Sequence, residues 1–212
     1  MPESAKDGKT KDLDENPGNI LPLRMMSKVA RGFGRGSSDL GIPTANLDRD
    51  ALQVARPKNA GGILHDDIPS FDGLPCGIYW GFARVGENPK FVGKEAEGGS
   101  SFSGVYAAAV SIGYNPTYNN ETKTIEPHFI APSSDPRRRV SSCQETVLTD
   151  FYDRPIRLSV VGYLRPELPF DGLGALIEAI KNDIATSERL AEGKDSRTMQ
   201  EKEWVALNEP IE

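Results

Sequence analysis

The stretch RPIRLSVVGYLRPELPFDGLGALIEAIKNDI, residues 154–184, changes its period part-way, and that change decides the fold class. Residues 154–166 are dense in β-branched and aliphatic side chains and predict a strong strand, which Pro166 ends. Beyond it Leu173, Leu176, Ile177, Ile180 and Ile184 recur on one helical face, with Asp171 placed to cap the start. Working outward, GIYWGFARV (77–85) predicts a strand that opens at Gly77, and VYAAAVSIGY (105–114) predicts its partner, stopped by Asn115-Pro116. TIEPHFI (124–130) is a further short strand, and 25–33 has the apolar content of a first one. Residues 48–76 keep no sustained period of 2 or 3.6 and predict a long loop with one helical turn around Ala51. Several strands followed by one amphipathic helix predict a small closed β barrel with a helix packed beside it.

Composition agrees with one modest domain diluted by loops. The chain has 212 residues, of which 37% are hydrophobic, with 21 Gly and 16 Pro. Residues 1–20 read as a disordered tail, 21–192 as the domain, and 193–212 as a C-terminal extension. Polar insertions fall near 48–76, 88–104 and 131–148; the Arg137-Arg138-Arg139 run in the last reads as a solvated surface. A net charge of −6 argues against a nucleic-acid partner, because a phosphate backbone needs a basic face. Cys76 and Cys143 form no CxxC pair and stand far from either histidine, which argues against a structural zinc site and for reduced thiols. No apolar run reaches membrane-spanning length and the N-terminus has no signal-like core, so a cytoplasmic protein is expected.

The chemistry concentrates in GRGSSDLGIPTANL, residues 34–47. Gly32, Gly34 and Gly36 alternate with Phe33 and Arg35. Such a run exposes successive N–H groups that form an anion nest, although a tight turn uses glycines equally well. No Walker A run and no protein-kinase motif accompanies it. Pro43 biases Ile42 towards an extended conformation, and in an extended segment Thr44 and Asn46 point to the same side. A hydroxyl and an amide carbonyl are hard neutral oxygens, suited to Mg²⁺ whose other ligands are waters and substrate phosphates. Nest and oxygen pair together predict a cradle for Mg-ATP. A general base is offered by TIEPHFI, where Glu126 and His128 share one face and Ile125 and Phe129 the other. Periodicity alone favours reading that pair as polar residues on a solvent face.

GFGRGSSDLGIPTANL, GIYWGFARV, VSIGYNPTY, IEPHFI and the 150–184 stretch resemble the riboflavin kinase (flavokinase) family in order and spacing, from about residue 28 to 190. The resemblance implies a mainly β fold, a six-stranded antiparallel Greek-key barrel with a C-terminal amphipathic helix. It also implies transfer of the ATP γ-phosphate to the ribityl 5′-hydroxyl of riboflavin, giving FMN. Carried over by position, Thr44 and Asn46 would contact metal and phosphate, Glu126 would be the catalytic carboxylate, Gly34 and Gly36 would close over the nucleotide phosphates, and Arg165 would face the flavin. Mg²⁺ is the implied ion, with Zn²⁺ left open; ATP and riboflavin are the partners, and no obligate protein partner is implied.

Two positions depart from the family pattern. Ser38 stands where some relatives carry Lys, and Pro127 lies between Glu126 and His128 where relatives often have Thr or Val. Pro127 lacks an N–H and so predicts an edge or a bulge. Bacterial relatives fuse the kinase to an adenylyltransferase domain; none is expected here, so FAD synthesis would fall to another protein. Two rivals stand beside the kinase reading: a non-catalytic flavin- or nucleotide-binding barrel, and a barrel that binds nucleic acid or protein.

Overall fold

A computed structural model describes residues 17–32, 44–57, 70–86, 104–114, 123–132 and 152–207. Among them, seven strands precede two helices: β1 (Leu23–Ala30), β2 (Asn46–Leu47), β3 (Gln53–Ala55), β4 (Gly77–Val85), β5 (Tyr106–Tyr114), β6 (Lys123–Ile130), β7 (Pro155–Arg165), α1 (Leu173–Ala191) and α2 (Ser196–Ala206). All pairings are antiparallel, in the order β2-β1-β7-β4-β5-β6, with β3 also on β1. The run β4-β5-β6 is a meander, and β7 returns to lie beside β4, which is a Greek key. The two ends of this six-strand path meet where the Ala45 N–H donates to the Pro127 carbonyl at 3.0 Å, so the sheet nearly closes into a barrel.

Side-chain parity explains both layers of packing. On β5, Tyr106, Ala108, Val110 and Ile112 enter the barrel, where they meet Met25, Tyr79, Ile125, Phe129, Ile156, Leu158 and Val160. The outward residues Ala107 and Ala109 are small, and α1 settles on them with Ile180 and Ile184, joined by Ile130. On the outer face of β4 and β7, Trp80, Phe82 and Val161 are covered by Trp204 and Val205 of α2. Each large side chain buried this way contributes about 1.5–3 kcal/mol. Two register shifts between β4 and β7, at Ile78/Tyr79 and Trp80/Gly81, bend the second half of β7.

Several local features differ from the sequence expectation. Pro17–Ile20, assigned above to the tail, form a 3-10 turn, and Ile20 is 1% exposed in the core. Within the expected loop 48–76, Gln53–Ala55 pair with Arg24–Met26, and Phe71–Gly73 form a 3-10 turn. Gly172 with φ 115° takes the N-cap position of α1 and no side chain caps it, so Asp171 is not the cap. Leu173 is 58% exposed, because the first turn of α1 runs beyond the sheet, and burial begins further along the helix. The segment beyond α1 holds a second helix: Asp195 caps it through the Thr198 N–H (3.0 Å), and Glu201, Trp204 and Val205 are buried. The glycine turn around Gly34 and Gly36, Ser38, the insertion at 88–103, the arginine run and Cys143 lie outside the described residues.

Candidate active site

The site lies on the seam where the two ends of the sheet meet. From 44 to 47 burial alternates, with Ala45 and Leu47 buried and Thr44 and Asn46 half-buried, so Thr44 and Asn46 share a side as their spacing predicts. Asn46 pairs with Ala30 on β1, and its side chain lies against Gly32; a Cβ on Gly32 would fall 2.5 Å from the Asn46 amide nitrogen. Gly32 is what leaves room for that amide.

Glu126 faces the same place from β6, opposite Ser111. The Thr44 hydroxyl donates to Glu126 Oε2 at 3.0 Å, and the Thr124 hydroxyl donates to Oε1 at 2.9 Å. Each carboxylate oxygen therefore has one hydroxyl donor, which fixes the rotamer and leaves further lone pairs for another proton. Donating to Glu126 also turns the lone pairs of Thr44 away from the carboxylate, where a cation could use them. Thr124 was legible in principle, since it stands two residues before Glu126 on the same face.

Pro127 is accommodated by the seam. Its carbonyl accepts from Ala45, on the side away from β5, so its missing N–H falls on that side and costs no bond to β5. His128 shares the outer face with Glu126 but is buried at 7%, so the reading of the two as an exposed polar pair does not hold for it.

Below Glu126, Lys123 is 5% exposed, with its ammonium donating to the carbonyls of Asp72 (2.7 Å) and Leu74. It thereby ties the loop before β4 to the strand that carries Glu126. Arg165, at the end of β7, binds Asp183 of α1 through Nε (3.0 Å) and Nη2 (2.6 Å), while its Nη1 donates to the Pro166 carbonyl at 3.0 Å. Its guanidinium carbon lies 5.6 Å from the Phe170 ring centroid. Near both cations stands Glu167, which the sequence expectations did not single out. The residue is exposed, but partial desolvation of its carboxyl pushes it above the usual carboxylate range; Lys123 and Arg165 oppose that, and Glu126 adds to it. Among the described residues there is no group of three His, Cys, Asp or Glu side chains arranged to hold a metal; Thr44, Asn46 and Glu126 each bring oxygens to the seam, the donor type that hard cations take.

Among the described residues, the seam brings together a hydroxyl, an amide and a carboxylate: Thr44, Asn46 and Glu126. The riboflavin kinase family model matches residues 20–191. The chain belongs to the riboflavin kinase family. It is 35% identical over 186 residues to a riboflavin kinase of Aspergillus fumigatus, covering 83% of this chain and 79% of that one. It is also 35% identical over 169 residues to a riboflavin kinase of Mus musculus, covering 80% and 81%. A crystal structure of riboflavin kinase from Trypanosoma brucei aligns with 24% identity and a TM-score of 0.49 over 87% of this chain and 85% of that one. No helix among the described residues is long and apolar enough to cross a membrane.

Proposed function

We propose that this family member acts as an ATP:riboflavin 5′-phosphotransferase in the cytoplasm, with Glu126 as its base and the seam as its reaction centre. The observation that carries this reading is the 3.0 Å bond from Thr44 to Glu126, which joins the phosphate-side strand to the acceptor-side strand at one point. Glu126, held by two hydroxyls, takes the proton of the ribityl 5′-hydroxyl or orients that hydroxyl for in-line attack on the γ-phosphorus. Thr44 and Asn46 fit a Mg²⁺ ion better than Zn²⁺, since both present neutral oxygens and neither is a thiolate or an imidazole. When bound, such an ion neutralises charge on the transferring phosphoryl group. Gly34 and Gly36 supply N–H donors to the nucleotide phosphates, and Arg165, steadied by Asp183, faces the flavin. The negative net charge speaks against a nucleic-acid ligand.

Incubation with riboflavin, ATP and Mg²⁺, followed by chromatographic separation of flavins, tests the activity directly. FMN should form, and only with ATP and a divalent ion. Flavin binding without FMN would instead support the non-catalytic barrel.

A further inference from the structure

Arg165 is held at three points, by Asp183, by the Pro166 carbonyl and against the Phe170 ring, so the turn after β7 is fixed. Glu167 rides on that turn. Its carboxylate lies directly over Gly113 of β5: a Cβ built on Gly113 would fall 2.2 Å from Oε1 and 2.3 Å from both Cδ and Oε2. Gly113 pairs with Thr124, whose hydroxyl reaches Glu126. Glu167 and Glu126 therefore flank the same short run of the β5–β6 ladder.

Glu167 is an exposed residue, and its carboxylate feels the like charge of Glu126 and the larger, opposite effects of Lys123 and Arg165. Among the described residues no hydrogen bond or ion pair engages the Glu167 carboxylate at contact distance; Lys123 and Arg165 act on it only through space. A carboxylate kept there suits a ligand that brings hydroxyl protons, and it disfavours a phosphate, whose charge has the same sign. It therefore marks the acceptor side of the site, not the nucleotide side. An acceptor with a single alcohol needs one carboxylate. A polyol chain brings several adjacent hydroxyls and has use for two.

We propose that Glu167 is a specificity-determining residue: its carboxylate accepts a hydrogen bond from a secondary hydroxyl of the acceptor's polyol chain, beside the terminal hydroxyl that Glu126 takes. The proposal rests on the riboflavin-phosphorylating reading above. A hydrogen bond to a charged acceptor sets the scale of the effect at about 10- to 100-fold, and a site built around a hydroxyl rejects an analogue that lacks it.

The test is steady-state kinetics with riboflavin and with analogues in which one secondary ribityl hydroxyl is replaced by hydrogen. In Glu167→Ala, KM for riboflavin should rise about 10- to 100-fold, with KM for ATP unchanged and kcat largely kept. Glu167→Gln, which still offers an amide oxygen, should recover part of the loss. Gly113→Ala, whose methyl displaces the carboxylate, should shift KM in the same direction while remaining folded by circular dichroism. One deoxy analogue should be penalised by the wild-type protein and treated like riboflavin by Glu167→Ala. An unchanged riboflavin KM in Glu167→Ala overturns the proposal, as does an equal penalty for every analogue in both proteins. A wild-type protein that makes no FMN removes the kinase reading and this proposal with it, whereas normal turnover with insensitive Glu167 variants removes the proposal alone.

Discussion

Glu126 sits between two hydroxyls, and replacing its carboxylate separates shape from basicity. Glu126→Gln keeps both acceptor geometry and volume on one oxygen, so ATP and riboflavin should bind within a few-fold of wild type. Turnover should fall about 10²-fold or more, the scale of a lost general base; near-normal kcat would sink the assignment. Thr44→Val deletes the hydroxyl that donates to the Glu126 carboxylate and that the proposed reading also turns to the metal. The Mg²⁺ concentration needed for half-maximal rate should rise, and Asn46→Leu should behave alike; superimposable metal titrations for all three proteins would reject the ligand role. Glu167 adds a pH dependence whose sign is fixed. Its carboxyl is raised in the folded protein, chiefly by partial desolvation, so between the ordinary glutamate value and the raised one the folded state binds more protons than the unfolded. Its contribution is present below that window and lost as pH rises through it. Glu167→Gln lacks the slope, so urea melts should show the variant gaining on wild type between pH 4 and pH 7. A constant gap across that range would contradict this. Thr44 and Asn46 were legible because strand parity puts them on one side, whereas Glu126 was singled out by the family resemblance and meets them only because the two ends of the sheet come together. Glu167 was not legible, since it lies just beyond β7 and its place over Gly113 of β5 is a contact between segments far apart in sequence.

At the scale of elements, β4, β5, β6 and β7 were legible to within a residue, whereas β1 starts two residues and ends three residues before its expected bounds. Three features were not legible. β3 is three residues long, too short to show a period, and exists because β1 offers it an edge. The start of α1 depends on a glycine at positive φ that a capping rule built on side-chain oxygens does not anticipate. α2 has few apolar residues, and much of its hold on the barrel is polar. Glu201 is fully buried and accepts from Arg24 Nε (2.9 Å) and Nη2 (3.0 Å) and from the Ser159 hydroxyl (2.7 Å). Arg24 and Arg157 stack on Trp204 at 5.1 and 4.1 Å, and the Arg84 guanidinium caps the helix end through the Ala206 carbonyl at 2.6 Å. Its sequence signal was present in Asp195-x-x-Thr198 and in the spacing of Glu201, Trp204 and Val205. Glu201→Ala removes the partner of a half-buried guanidinium and should cost about 3 kcal/mol in chemical denaturation, near the lower end for a broken buried pair. A loss under about 1 kcal/mol would place the pair with exposed ones.

For the molecule as a whole, the family match and the packed core both begin at Ile20; the match reaches the end of α1, and the core runs on to Trp204 and Val205 of α2. A variant lacking residues 1–16, with 88–103 replaced by a short Gly/Asn turn, should therefore keep kinase activity. Both removed segments lack apolar periodicity, and shortening a loop changes closure entropy only slightly. The β4–β5 register from Gly77↔Ile112 to Ala83↔Tyr106 has to survive, because a one-residue slip turns Val110 and Ile112 outward. If several turn lengths all give folded protein that makes no FMN, the insertion belongs to the active site.

The seam has a consequence for how this barrel behaves when empty. A sheet that closes through Ala45 and Pro127, with Thr44 and Glu126 clasped alongside, is fastened at the place that the proposed function gives to the substrates. Nucleotide and metal engaging Thr44, together with acceptor engaging Glu126, would act as stitches across an opening otherwise held by few bonds. Occupancy then tightens the entire wall, by an amount that grows with the logarithm of ligand concentration over its dissociation constant. Substrate availability would set the mechanical integrity of the shell as well as the rate of reaction.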